Sequence, residues 1–219
     1  MRWPPPSFCN NILTNMPNPT DLTPGADSCP VTDLSSAAQP LSPVNLSSDD
    51  PASLPDAEAL YRILLQQVSN GVKGVKDVAI VGIHSGGAWL AERLAHDLGL
   101  AERLGVLDVS FYRDDFAEKG LRTDIKPSQI GFAVDGATIV LVDDVLYTGR
   151  TTRAAINELF DYGRPARIML AALLDRGARQ LPVAADFVAA SVTLPGAQAL
   201  VLRRADDGQL TLTIEDQHA

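Results

Sequence analysis

Short apolar runs alternate along the chain with stretches in which apolar residues recur every three or four positions. The apolar runs predict buried strands at 77–83, 106–112, 138–142, 167–174 and 185–192. The three- and four-residue spacing predicts helices at 56–71, 88–98 and 151–162. Strands that alternate with helices indicate an α/β fold, in which a mostly parallel central sheet is flanked by helices.

Two further stretches interrupt this alternation. Residues 114–134 mix both charges with two glycines and one proline, and they predict a long excursion with a mobile tip. Near the end of the chain, the apolar segments 200–203 and 210–214 flank Asp206-Asp-Gly208, a sequence typical of a tight turn. The second stretch therefore predicts a small C-terminal hairpin.

Residues 1–55 follow neither period. They hold 11 of the 15 prolines and a single basic residue, Arg2. A stretch of this kind buries too little apolar surface to offset the entropy of the chain. The sequence therefore predicts a disordered N-terminal tail at 1–55 and one folded domain at 56–219.

Composition narrows the class of protein. With 46% hydrophobic and 21% charged residues the chain is typical of a globular protein, and a net charge of −9 argues against a non-specific nucleic-acid binder. Both cysteines, Cys9 and Cys29, lie in the tail, so the folded part has no cysteine for a zinc site. No apolar run approaches the ~20 residues of a membrane span, and the expected location is the cytoplasm.

The clearest chemical signal follows the apolar run 138–142, where Asp143 and Asp144 stand side by side. Ligands of open parallel sheets bind at the carboxyl ends of the strands. Two adjacent carboxylates repel each other, but they suit the vicinal hydroxyls of a sugar, bound directly or through a metal-bound water. The alternative is a helix cap or a surface acid pair.

A phosphate-binding loop is predicted directly after this acid pair, in Tyr147-Thr-Gly-Arg-Thr151. Gly149 lets the backbone turn tightly, and the helix that starts near Thr151 presents free amides and the positive end of its dipole. Arg150 either adds charge to this loop or is simply solvated. Carboxylates followed by a phosphate loop predict a site for a sugar phosphate.

The segment from Ile139 to Thr151 resembles the phosphoribosyl-pyrophosphate (PRPP) binding motif of the type I phosphoribosyltransferases. The wider chain, over about 56–192, resembles the bifunctional PyrR family of pyrimidine-operon regulators and uracil phosphoribosyltransferases. The segments that carry this resemblance are 82–87, 108–115, 142–151, 163–168, 174–177 and 181–187.

The resemblance implies the type I phosphoribosyltransferase fold, with a flexible loop and a small C-terminal hood. It implies transfer of ribose 5-phosphate from PRPP to uracil, which yields UMP and pyrophosphate. Asp143 and Asp144 then hold the ribose hydroxyls and favour the positive charge that develops on the sugar. Arg113 meets pyrophosphate when the flexible loop closes, the alternative being a salt bridge with its neighbours. Magnesium is carried by PRPP, with no direct protein ligand.

The same resemblance assigns three groups of binding residues. The PRPP-binding residues are Ile139, Val140, Leu141, Val142, Asp143, Asp144, Val145, Leu146, Tyr147, Thr148, Gly149, Arg150 and Thr151. The pyrophosphate loop is His84, Ser85, Gly86 and Gly87, in which His84 has either a binding or a structural role. The base pocket is Asp186, Phe187 and Val188.

The resemblance also implies a second activity and a homodimer or higher oligomer. Regulators of this family bind leader RNA of pyrimidine operons through a basic concave surface. Here Ala178 and Gln180 stand where many relatives have histidine and glutamate. Ala178, His84 and the acidic balance of the chain favour the enzyme over the RNA binder. Arg164, Arg167, Arg176 and Arg179 keep some positive charge. A further alternative is a transferase for another base, because 189–193 departs from the family pattern.

Overall fold

A computed structural model describes residues 54–109, 128–194 and 198–216. The predicted tail at 1–55, apart from its last two residues, lies outside the described residues, as do most of the predicted excursion and the candidate Arg113. Within the described parts of the chain, no helix is long and apolar enough to span a membrane.

A six-stranded sheet forms the centre of the fold, with strand order β3-β2-β1-β4-β5-β6. The strands are β1 Val78–Ile83, β2 Leu104–Leu107, β3 Gln129–Ile130, β4 Thr138–Leu146, β5 Arg167–Asp175 and β6 Phe187–Ser191. Neighbouring strands are parallel except for β2 and β3. The predicted mostly parallel sheet is confirmed.

In the described residues, three α-helices and one short 3₁₀-helix precede or connect the strands. They are α1 Ala57–Gly71, α2 Gly86–Asp97, α3 Arg150–Tyr162 and the 3₁₀-helix Ala101–Arg103. The predicted cap of α1 is present, since the Asp56 side chain accepts a hydrogen bond from the Glu58 amide. The predicted hairpin is also present, as the antiparallel pair β7 Gln198–Arg204 and β8 Leu210–Asp216.

Several strand boundaries differ from the sequence prediction, and the largest difference is at the end of β4. β4 was expected to end at 142, yet it continues to Leu146 because its ladder with β5 runs on to the pair Leu146 and Asp175. Both aspartates therefore lie within the strand rather than after it. β2 covers 104–107 instead of starting at 106, and the predicted end of this strand falls partly outside the described residues.

Each face of the sheet packs against its own apolar core. Helices α1 and α2 and the hairpin cover one face, where Leu64 and Leu90 are fully buried. Helix α3 covers the other, where Leu141 and Leu159 are fully buried. The strands are accordingly apolar on both sides, as expected for a sheet covered by helices on both faces.

A charged network joins α1, α2 and the hairpin. Arg93 donates to both carboxylate oxygens of Glu58, at 2.8 and 2.9 Å, and Glu58 also accepts from the backbone N–H of Leu210 at 2.9 Å. The guanidinium of Arg93 lies 4.0 Å from the centre of the Tyr61 ring, whose hydroxyl donates to Asp97. The hydrogen bond from Arg93 lowers the pKa of Glu58 below its ordinary value.

Replacing Glu58 with glutamine is expected to lower the melting temperature at pH 7 by a few degrees, because a charge-assisted pair of this kind contributes about 1 kcal/mol. The pKa of Glu58 is lower in the folded state, so its contribution is present above the unfolded pKa and is lost as the pH falls through the folded pKa. The variant should therefore lose less stability than the wild type between pH 7 and about pH 3.5.

Thermal melts at both pH values, with Glu92→Gln as the matched control, test this expectation. Glu92 pairs with Arg204 at 2.8 Å, but both side chains are well exposed, at 49% and 39%. An exposed pair contributes little. Equal melting temperatures of Glu58→Gln and the wild type at pH 7 would contradict the expectation.

Candidate active site

The candidate site lies at the carboxyl ends of the parallel strands, where the loop after β1 meets the end of β4. The register pairs Gly82 with Val142, so His84 comes level with Asp144. The backbone N–H of His84 donates to the carbonyl of Leu107 at 2.9 Å, which ties this loop to β2. The sheet thus brings together two segments that lie about sixty residues apart in the sequence.

Asp143 and Asp144 have different environments, because successive side chains of a strand point to opposite faces. Asp143 is 3% exposed, and one of its carboxylate oxygens accepts the Asp144 N–H at 3.1 Å. Asp144 is half-buried. Neither residue caps α3, which starts after Gly149. The alternatives of a helix cap and a surface acid pair therefore do not describe these two residues.

The Asp144 carboxylate lies directly over the start of α2. A Cβ on Gly86 would come 2.3 Å from Asp144 Oδ2 and 2.6 Å from Cγ. Only a glycine leaves room for the carboxylate in this position. The loop His84–Gly87 and the acid pair, which the resemblance assigned to one ligand, are in direct contact at Gly86.

Gly87 holds the same loop against the backbone of β4. A Cβ at this position would lie 2.4 Å from the Val142 carbonyl oxygen and 3.0 Å from the Asp143 Cα. Ser85 precedes α2 without making a side-chain capping bond, and it is exposed. The peptide bond between His84 and Ser85 is cis.

The predicted phosphate loop connects β4 to α3. Gly149 has a φ of +88°, a left-handed conformation that favours glycine, and α3 begins at the next residue. Gly149 has no side chain that could cap the helix, so the amides of its first turn face the loop. This arrangement can bind an anion such as a phosphate group.

The segment after β5 packs around this loop from outside. The Arg176 guanidinium lies 4.1 Å from the centre of the Tyr147 ring, and Arg176 is only 7% exposed. The backbone N–H groups of Gln180 and Leu181 both donate to the Thr148 carbonyl, at 3.1 and 3.3 Å. Sequence reasoning treated Arg176 only as residual surface charge and missed these contacts. The sole sequence signal was that Arg176 lies two residues after the predicted strand at 167–174.

Arg150 is exposed, and its Nε donates to the side-chain oxygen of Gln180 at 2.9 Å. This contact orients the arginine at the start of α3. The sequence left two roles open for Arg150, a charge in the loop or a solvated arginine. The contact with Gln180 shows a side chain that is held beside the phosphate loop.

The predicted base-pocket residues lie at and just before the start of β6, where the register across β5 sets Val188 level with Asp143. One whole strand, β5, separates them from β4. The Asp186 carboxylate accepts the Leu170 N–H at 2.8 Å, and the Phe187 ring packs on Gly71 at the end of α1. The Val188 carbonyl accepts from the Gln67 side chain. All three therefore join β6 to its neighbours, and their assignment to a base pocket stays a prediction.

β6 ends at Ser191, which pairs in register with Asp175 of β5.

Among the residues that the structure describes, no group of three or more His, Cys, Asp or Glu side chains could hold a metal ion. A magnesium ion that enters with a phosphorylated substrate fits this arrangement, because such an ion keeps several waters and needs one or two carboxylates at most.

Comparison with known proteins gives a consistent result. The model of the family described as "Phosphoribosyl transferase domain" matches residues 52–194. The chain is 50% identical over 169 residues to the Bifunctional protein PyrR of Ralstonia nicotianae, which covers 75% of this chain and 97% of that protein. It is 55% identical over 122 residues to the Bifunctional protein PyrR of Pseudomonas aeruginosa, covering 56% and 72%.

Among solved structures, a hypoxanthine phosphoribosyltransferase from Staphylococcus aureus is similar at 20% identity, with a TM-score of 0.49 over 63% of this chain and 75% of that one. The family model covers well over half of the chain, and half of the aligned residues are identical over nearly the whole length of the first relative. The chain therefore belongs to the phosphoribosyl transferase domain family and, within it, to the bifunctional PyrR proteins.

Proposed function

We propose that the protein is a PRPP-dependent uracil phosphoribosyltransferase, which converts uracil and PRPP to UMP and pyrophosphate. The observation that carries the proposal is the contact of the Asp144 carboxylate with Gly86, beside the open start of α3. A carboxylate for sugar hydroxyls, a loop for pyrophosphate and a loop for the 5-phosphate then lie at one edge of the sheet. The choice of uracil rests on what the family resemblance implies, and the match to PyrR proteins supports that resemblance.

In this proposal the site acts mainly by positioning and electrostatics. Asp144 and Asp143 accept hydrogen bonds from the ribose hydroxyls, and their charge favours the positive charge that develops on the sugar as pyrophosphate leaves. The amides at the start of α3 and the 147–151 loop hold the 5-phosphate. Residues 84–87 face the departing pyrophosphate.

Magnesium is proposed to enter with PRPP. When bound, it neutralises charge on the pyrophosphate group. Asp143 and Asp144 are the carboxylates closest to the site, and they can contact the ion through its water molecules. The proposed substrates are small and, in the case of PRPP, highly charged, which is consistent with the cytoplasmic location that the sequence predicts.

The test of the proposed function is an assay of the purified protein with labelled uracil, PRPP and magnesium. UMP is expected from the wild type but not from a protein in which both Asp143 and Asp144 are replaced by asparagine. Omission of PRPP is a second control. Orotate and hypoxanthine are supplied in parallel as alternative bases. A protein that binds PRPP but forms no UMP from uracil would contradict the choice of uracil.

Binding of leader RNA is a second candidate function, and the printed name of the relatives, which calls them bifunctional, favours it. The arginines that could serve are already engaged. Arg167 lies 3.7 Å from the Asp186 carboxylate, Arg176 is buried, and Arg164 donates to the Phe160 carbonyl. We therefore rank the enzyme first. Filter binding of a pyrimidine-operon leader RNA, with and without UMP, tests the RNA-binding function. The assay is run at two salt concentrations, since phosphate contacts weaken steeply with salt.

The family resemblance supports a proposed homodimer or higher oligomer, which light scattering of the purified protein can test. A monomer at micromolar concentration would contradict it.

Replacing Gly86 with alanine is expected to lower kcat/KM for PRPP by roughly tenfold, because the new methyl group must displace the Asp144 carboxylate and misplace it in the site. The melting temperature should also fall slightly, because the Asp144 Cβ would lie 2.8 Å from the new methyl group and cannot rotate away, which outweighs the helix preference of alanine. Gly131→Ala is the matched control, because nothing lies within 4 Å of a Cβ there. Wild-type kinetics of Gly86→Ala would show that Asp144 need not lie over the loop.

A further inference from the structure

Arg179 connects the loop that follows β5 to the loop that follows β4. The five acceptors of its guanidinium are the backbone carbonyls of Leu146, Tyr147, Gly177 and Val183 and the side-chain carboxylate of Asp175. The bond to Asp175 is 2.7 Å long, and the two side chains are 22% and 26% exposed. Sequence reasoning counted Arg179 among the cations of a surface. In the structure Arg179 is partly buried and bonded to groups of the protein itself.

The two carbonyls on the β4 side determine the direction of the phosphate loop. Leu146 is the last residue of β4, and Tyr147 is the first residue beyond it. Asp144 lies just before these two carbonyls and Gly149 just after them. A change of backbone direction at 146–147 would therefore move the phosphate loop relative to the acid pair.

The chemistry of an arginine suits this role. A planar guanidinium with fixed donor directions can bind several carbonyls at once, whereas a lysine ammonium is a single point charge. Asp175 compensates the charge, so the guanidinium can be held against backbone carbonyls away from bulk water. Arg176, stacked on the Tyr147 ring, and Gln180, bonded to the Thr148 carbonyl, support the same loop from neighbouring positions.

We propose that Arg179 is a positioning residue for the 5-phosphate of the substrate: it touches no ligand, but it holds residues 146–149 in the conformation that binds the phosphate group. The inference rests on the proposed function for the identity of that ligand. The pyrophosphate loop at 84–87 lies on the other side of β4 and makes no contact with Arg179 in the described part of the chain, so its affinity should be independent of this residue.

The experiment compares Arg179→Lys with Arg203→Lys. Arg203 is a matched control, because it also pairs with one carboxylate, that of Glu215, but lies on the exposed hairpin. Calorimetric titration with UMP, with PRPP and with inorganic pyrophosphate, each with magnesium, gives three dissociation constants per variant. We expect Arg179→Lys to bind UMP and PRPP at least about tenfold more weakly, with pyrophosphate affinity within about twofold of the wild type. Arg203→Lys should match the wild type throughout.

A second variant keeps the test decisive if Arg179→Lys does not fold. Asp175→Asn leaves the arginine in place but removes the charge that holds it, and a smaller loss, roughly threefold for UMP, is expected. Unchanged UMP affinity in either folded variant would overturn the inference, as would an equal loss for UMP and pyrophosphate. If the wild type binds UMP and PRPP but forms no UMP from uracil, the proposed function fails while this comparison stands.

Discussion

Asp144→Asn is expected to lower kcat at least about tenfold, with the melting temperature unchanged. Asparagine keeps the shape of the side chain but removes the charge, and one lost charge-assisted hydrogen bond costs roughly 1.5–3 kcal/mol, of which each 1.36 kcal/mol is a factor of ten in rate. Folding should not be affected, because the half-buried carboxylate lies over Gly86 and makes none of the described hydrogen bonds. The described hydrogen bond of Asp144 is made by its backbone N–H, which asparagine keeps.

Steady-state kinetics with varied PRPP measure this effect, and Asp161→Asn is its control. Asp161 is an exposed aspartate on α3, away from the loop at the start of that helix. The same charge is removed there, so a long-range electrostatic effect would appear in both variants. Turnover of Asp144→Asn near that of the wild type would remove Asp144 from the site and, with it, the main support for the proposed mechanism.

Gly87→Ala is expected to destabilise the protein by about 2 kcal/mol or more and to lower the melting temperature by several degrees. A Cβ at this position lies 2.4 Å from the Val142 carbonyl oxygen and 3.0 Å from the Asp143 Cα. Both are backbone atoms of β4, a central strand bonded on both sides, so neither can rotate away. The cost is that of overpacking a closed core.

The sign of this effect is informative, because a glycine replaced by alanine inside a helix normally gains about 0.5–1 kcal/mol. Gly86→Ala, one residue earlier, is the matched comparison. Its Cβ meets the Asp144 side chain, of which Oδ2 and Cγ can rotate away while the Cβ, at 2.8 Å, is fixed to β4. Gly86→Ala should therefore lose less stability than Gly87→Ala, whose new methyl group meets only backbone atoms. Thermal melts of both measure the difference. Equal melting temperatures for Gly87→Ala and the wild type would show that α2 does not pack on β4 as described.

The sequence was sufficient for the order of elements and for the class of fold. Apolar runs gave the strands, and the three- and four-residue spacing gave α1, α2 and α3 to within a few residues. These features depend on short-range preferences of the chain, which a sequence carries directly. The family resemblance likewise came from contiguous segments, and the matched domain at 52–194 bears it out.

The contacts of Asp186 and Phe187 show what this reasoning does not reach. Asp186 and Phe187 lie in a segment that resembles the family, and the sequence therefore placed them beside the ligand. In the structure the Asp186 carboxylate accepts the Leu170 N–H, 16 residues away in the sequence. The Phe187 ring packs on Gly71, more than one hundred residues away. A linear pattern does not state which side of a strand or which neighbouring helix a side chain will meet.

The sequence by itself determined the strands, the helices, the adjacent carboxylates of β4 and the glycine before α3, because each depends on residues close together in the chain. Only the tertiary structure decided that Asp144 lies over Gly86 and that Arg179 holds the carbonyls of Leu146 and Tyr147. These contacts join segments more than thirty residues apart, and they follow from strand order and register, which are set by packing of the whole sheet against its helices.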